Sequence, residues 1–143
     1  MATFFMTRKV CQEVIVDSSA WVAILRGEPE GVKFLRLIDE APYVGISVAT
    51  YLETAIVIDG TKDAVASREL DDLLVEARVV LEPVTAEQAR IAREAYRDFG
   101  RGSGHPAKLN FGDCFAYALA KAKREPLLCK GDDFVHTDVK TIP

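Results

Sequence analysis

VIVDSSAWVAIL, Val14 to Leu25, passes from a short β-branched run through one acid into a helical pattern. Val14–Asp17 reads as a buried strand. Ser18 or Ser19 then caps a short helix through Leu25, which ends at Gly27. The rest of the chain repeats this alternation. Pro29 opens a helix with Val32, Leu35 and Ile38 at helical spacing, and Tyr43–Ile46 is a second strand. Ser47 caps a helix reaching Ile58 and closed by Gly60. Another helix, Asp63 to Ala77, carries Val65, Leu70, Leu73 and Leu74. Strand Val79–Pro83 leads to Thr85 and Gln88, the T-x-x-Q capping box of a helix to Phe99. After the loop Gly100–Leu109, Asn110 caps a helix from Phe111 to Arg124. Strands at Pro126–Cys129 and Val139–Ile142 end the chain. The pattern predicts an α/β fold: a central, mostly parallel sheet of about five strands with helices on both faces. In such sheets the ligand site lies outside the carboxyl ends of the strands.

The 143 residues suit one domain that buries roughly 68–70% of its unfolded surface without a disulfide or metal staple. A hydrophobic content of 49% excludes a disordered chain, and 9 Gly and 6 Pro without a period exclude collagen-like repeats. The longest uncharged run, Ala41 to Leu52, falls well short of the ~20 residues of a spanning helix. MATFFMTRKV is apolar first and basic second, the reverse of a secretory signal. Cys11, Cys114 and Cys129 form no C-x-x-C pair, which points to a reduced, cytoplasmic protein. A net charge of −4 argues against nucleic-acid binding by bulk charge. It leaves room for an enzyme that acts on nucleic acid through metal ions, since those bring positive charge of their own.

Acids stand where the pattern predicts burial or a cleft rim. Asp17 ends the first strand, and Glu53 is the only charge from Ala41 through Ile58. Asp113 is the only charge from Phe111 through Ala120, while Asp132 and Asp133 closely follow the strand ending at Cys129. On the helix from Phe111, the stripe Phe111, Phe115, Leu119 and Ala122 lies roughly opposite Asp113 at ~100° per residue. The face of Asp113 continues with Ala116, Tyr117 and Ala120, so the helix is apolar nearly all round. A carboxylate there is costly unless paired or metal-bound. Acids converging on one edge repel each other, and a divalent cation relieves the repulsion. Oxygen ligands favour Mg²⁺ or Mn²⁺, and scattered cysteines without a His cluster argue against zinc. Each acid also has a plainer reading: Asp17 as a helix cap, Asp113 as the acid answering Asn110, Glu53 as an Arg partner, Asp132 and Asp133 as turn residues.

VIVDSSAWVAIL, the isolated Glu in SVATYLETAIVI, LNFGDCFAYALAKAK and PLLCKGDDF resemble the PIN-domain ribonucleases, and more narrowly the VapC-type toxins of bacterial toxin–antitoxin pairs. The resemblance runs from Val14 to Pro143. It implies a PIN fold over residues 14–143, Mg²⁺-dependent endonucleolytic cleavage of RNA, inhibition by a small VapB-type antitoxin, and a toxin homodimer within a larger assembly. Carried over residue by residue, Asp17, Glu53 and Asp113 match the family's acidic positions, with Asp132 or Asp133 as the fourth. Residues 1–13 then form an N-terminal extension. An antitoxin tail across the acidic cleft, with an Arg entering the metal site, would replace the cation's charge.

The mechanism expected is metal-assisted phosphodiester hydrolysis. Asp17, Asp113 and Asp132 or Asp133 hold one or two Mg²⁺ (Mn²⁺ substituting), Glu53 completes the shell or orients a water, and Ser18 or Ser19 donates a supporting hydrogen bond. Arg90, Arg93, Arg97 and Arg101 share one face if their helix extends that far, leading to His105 and Lys108. They are either phosphate contacts or a solvated face. Trp21, Tyr51 and Tyr117 read as packing residues and Cys114 and Cys129 as small buried hydrophobes. Two alternatives stand beside the nuclease. One is an Mg²⁺-dependent phosphotransfer protein, phosphatase or receiver-like, although Ser19 and the solitary Asp17 depart from those motifs. The other is a non-catalytic PIN binding module.

Overall fold

In a computed structural model, which describes residues 12–142, β1 (Val14–Val16) lies at the centre of a five-stranded sheet. The other strands are β2 (Val44–Ser47), β3 (Val80–Glu82), β4 (Leu127–Leu128) and β5 (Thr141–Ile142), in the order β3-β2-β1-β4-β5. Every neighbouring pair is parallel, with Ile15 opposite Gly45 on one side and Leu127 on the other. The Asp17 N–H donates to Leu128 O at 2.9 Å, so the ladder holds the residue just past the strand end. Chain order reverses between β1 and β4, and the connections leaving them diverge to opposite faces. Sheets of this kind place their crevice at the carboxyl ends beside such a reversal. Most of the 1–13 segment, with Cys11, lies outside the described residues.

Six helices cover the sheet: α1 (Ser18–Leu25), α2 (Gly31–Glu40), α3 (Val48–Asp59), α4 (Ala64–Glu76), α5 (Ala86–Phe99) and α6 (Phe111–Lys123). Strand alternation divides the core in two. Ile15 and Leu127 pack with α5, α6 and the loop residues Ala107 and Leu109, while Val14, Val16 and Leu128 pack with residues of α1, α2 and α4. Trp21 is fully buried in the second core, in its expected packing role.

Local chemistry departs from the sequence reading in three places. Asp17, in its plainer reading as a helix cap, takes the place of Ser18 or Ser19 at the start of α1: its Oδ2 accepts the Ser19 N–H at 3.1 Å. Both hydroxyls are engaged elsewhere, Ser18 Oγ donating to Glu53 and Ser19 Oγ accepting the Lys130 N–H at 2.9 Å. The T-x-x-Q box is half made, since Thr85 Oγ1 accepts the Gln88 N–H while Gln88 Oε1 is buried without a partner. The helical stripes are also rotated from expectation. α2 buries Gly31, Phe34 and Ile38 and exposes Val32 and Leu35; α6 buries Cys114 and Ala116–Ala120 but leaves Phe111 76% exposed. α6 packs against α3, α5 and the sheet at once, so its Asp113-bearing side faces protein and its Phe111 corner faces out.

Candidate active site

Asp17 is 2% exposed at the switch point of the sheet. One carboxylate oxygen caps α1; the other, Oδ1, is buried and has no hydrogen-bond partner among the described residues. Burial pushes its carboxyl up to about 6, the Ser19 hydrogen bonds pull the other way, and the charges of Asp113 and Glu53 push upward again.

Asp113 is delivered by the start of α6, where a full capping box operates. Asn110 Oδ1 accepts the Asp113 N–H at 2.8 Å, and Asp113 Oδ2 accepts the Asn110 N–H at 2.9 Å. The plain capping role and the acidic-site role therefore coexist in one side chain. Burial raises its pKa, the Asn110 N–H lowers it, the charges of Glu53 and Asp133 raise it, and Arg101 lowers it.

Glu53 reaches the same place from the middle of α3. Ser18 Oγ donates to its Oε1 at 2.7 Å, the supporting bond expected of a serine beside Asp17. Its other oxygen lies over Gly112, where a Cβ would stand 1.6 Å from Oε2. Glycine inside a helix costs roughly 0.5–1 kcal/mol against alanine, and here the missing side chain makes room for a carboxylate. Gly112 is the residue beside the acids that the sequence reading passes over, although a lone Gly in an Ala-rich helix is its visible signal.

Asp132 and Asp133 are both exposed beyond β4. The charge of Asp133 bears on Asp113 and on the Cys129 thiol; that of Asp132 is not among those acting on Asp17 or Asp113. Burial, then the charges of Asp17, Asp113 and Asp133, push the Cys129 thiol up to about 12, and burial followed by Asp113 lifts Cys114 to about 11. Both cysteines are free and buried, as small hydrophobes should be.

Among the described residues, no three His, Cys, Asp or Glu side chains close into a ready-made metal cage. The charges of Asp113 and Glu53 bear on Asp17, and those of Glu53 and Asp133 on Asp113. Their chemistry nevertheless fits a hard dication: the donors are carboxylate oxygens, and Asp17 Oδ1 is a buried anionic atom with nothing yet to satisfy it. On the flank, the arginine stripe is broken. α5 ends at Phe99, leaving Arg101 on the following loop, and Arg97 pairs with Asp98 at 2.9 Å. His105 holds that loop, its Nδ1 accepting the Ala107 N–H and its ring edge-on to Phe99. Tyr117 OH donates to Asp138 and Tyr51 OH to Asp71, so both phenols are structural.

The chain matches the PIN domain over residues 14–140. It is 57% identical over 127 residues to Ribonuclease VapC28 of Mycobacterium tuberculosis, covering 89% of this chain and 96% of that protein. Its fold superposes on VapC20 of Mycobacterium tuberculosis, a Sarcin-Ricin loop cleaving toxin, with a TM-score of 0.72 at 21% identity, over 91% of this chain and 98% of that one. It also superposes on VapBC2 from Rickettsia felis bound to a DNA fragment from their promoter, with a TM-score of 0.71 at 13% identity, over 91% and 96% of the two chains.

Proposed function

This chain belongs to the PIN-domain family, and from that premise we propose that it is a metal-dependent endoribonuclease toxin restrained by a VapB-type antitoxin. One observation carries the reading: Glu53 accepts the hydroxyl of Ser18, the residue after Asp17, and its other oxygen lies over Gly112, the residue before Asp113, so acids from three separate segments gather at the switch point of the sheet. Asp17, Asp113 and Asp133 would hold Mg²⁺, or Mn²⁺ in its place. Such a cation supplies charge against the phosphodiester and acidifies water. Asp17 contributes a buried oxygen with no competing donor, which favours a cation over water. Glu53, steadied by Ser18, is the acid best placed to orient a water or accept its proton. Asp113 is fixed by its capping bonds, so its carboxylate needs no reorganisation as charge develops.

Exposed apolar faces support the assembly that the family implies. Val48, Leu52 and Ile56 form a bare stripe on α3, and a groove of about 340 Å³ between α5 and α6 is lined by Ala92, Tyr96, Phe111 and Phe115. Patches of this kind mark partner surfaces, here a second copy within a larger toxin–antitoxin complex. No helix among the described residues is long and apolar enough to cross a membrane, and the reduced cysteines suit a cytoplasmic site of action.

The test is incubation of the antitoxin-free protein with total cellular RNA, with Mg²⁺ or with EDTA. Discrete fragments in Mg²⁺ that vanish in EDTA and in Asp17→Asn or Asp113→Asn are expected. Full cleavage by either variant contradicts the proposal.

A further inference from the structure

The acidic edge meets a substrate that is itself an anion. Asp17, Glu53, Asp113 and Asp133 together carry more negative charge than one dication offsets, so an RNA strand needs a cationic side chain beside them. α5 presents Arg90, Arg93 and Arg97. Arg97 is held by Asp98, and none of the three is among the charges acting on Asp17 or Asp113. Arg101 is such a charge, it is exposed, and among the described residues it makes no ion pair.

Its backbone is tied to the segment that positions Asp113. The Arg101 N–H donates to Leu109 O and the Leu109 N–H donates to Phe99 O, both at 2.9 Å, around the parallel bridge between Gly100 and Leu109. The next residue, Asn110, gives its N–H to Asp113. Between these anchors the loop closes on itself. Ser103 Oγ donates to Gly100 O at 2.6 Å and accepts the His105 N–H at 3.1 Å, with Gly102 and Gly104 taking φ of +85° and +84°. The loop is therefore a built arm, and among the described residues the arginine at its base makes no ion pair.

We propose that Arg101 is a substrate-binding residue that grips a phosphate of the RNA strand alongside the acidic edge, donating two guanidinium N–H groups to its oxygens. This rests on the ribonuclease reading and adds to it the residue that meets the strand.

The experiment measures binding of a fluorescein-labelled oligouridine by anisotropy, with Ca²⁺ in place of Mg²⁺ to suppress cleavage, over a range of salt. Arg101→Ala should weaken binding about tenfold and reduce the slope of log K against log salt by about 0.7, the share of one single-strand phosphate contact. Arg101→Lys should recover part of the loss, and Arg93→Ala should bind like wild type. Mn²⁺ binding, followed by electron paramagnetic resonance, should be the same in all. Wild-type affinity in Arg101→Ala, or an equal loss in Arg93→Ala, overturns the inference alone. A wild-type protein that neither binds nor cuts RNA overturns the ribonuclease reading and the inference with it.

Discussion

The hydroxyl of Ser18 donates to Oε1 of Glu53 at 2.7 Å, joining the first turn of α1 to the middle of α3 across the mouth of the acidic edge. The bond links the residue after Asp17 to an acid that arrives without a capping role. Hydrogen bonds to charged groups contribute about 1.5–3 kcal/mol. Ser18→Ala should therefore lower the cleavage rate about tenfold and raise the Mg²⁺ concentration for half-maximal activity, with circular dichroism unchanged. Ser18→Thr, which keeps the hydroxyl, should retain most of the activity. An unaffected Ser18→Ala enzyme would remove Ser18 from the account.

Gly112 sets the other side of the Glu53 seat. A Cβ there would stand 1.6 Å from Glu53 Oε2, so Gly112→Ala must displace the carboxylate although alanine favours helix. Activity should fall at least as far as in Glu53→Gln. The double variant should be no worse than the more damaging single one, because the two changes act on one group. Steady-state cleavage rates for the three variants decide it; additive losses would show that Gly112 serves something else.

Asp17 gives a pH dependence whose sign follows from its burial. Its folded pKa is about 6 against 3.8 for the free side chain, so the folded state holds the proton more tightly. Stability in metal-free buffer then falls as pH rises from about 4 to about 6 and stays low above that, a cost of about 3 kcal/mol at pH 7. Asp17→Asn removes this cost while keeping a good cap residue. The variant should melt several degrees higher than wild type at pH 7 without metal, and at nearly the same temperature at pH 4. Scanning calorimetry at both values checks it; a variant less stable than wild type at pH 7 contradicts the electrostatic account.

The acids after β4 should separate cleanly. Asp133 is among the charges that raise Asp113 and Cys129, and Asp132 is not among those that shift Asp17 or Asp113. Asp133→Asn is expected to reduce RNA cleavage by about tenfold or more and Asp132→Asn by less than about twofold, on the scale of losing one charge near developing anionic charge. Equal losses, or the reverse order, would move the fourth acid to Asp132.

Much of this was legible in the chain. Strand–helix alternation and caps such as Ser47, Thr85 and Asn110 fixed the elements to within a residue or two, because those signals are local. Asp17 and Asp113 stood out as charges in apolar settings, and both are partly or wholly buried. α6 is apolar nearly all round, so tertiary packing chooses its buried faces, whereas α2 is strongly amphipathic and its stripe through Phe34 and Ile38 stands in the sequence beside the one read through Val32 and Leu35. The end of α5 at Phe99, short of Arg101, is legible from the Gly-rich stretch that follows, but the pattern does not show that Gly112 is glycine for the sake of Glu53. That fact is made by a contact between distant segments, which no local pattern records.

The central claim is that Asp17 and Asp113 share a dication, and crystals grown with Mn²⁺ test it most directly by anomalous scattering. The account predicts a peak within oxygen-coordination distance of Asp17 Oδ1 and of the Asp113 carboxylate, lost in Asp113→Asn. A fully occupied manganese site elsewhere, with these two carboxylates held by basic side chains of the protein, would contradict it.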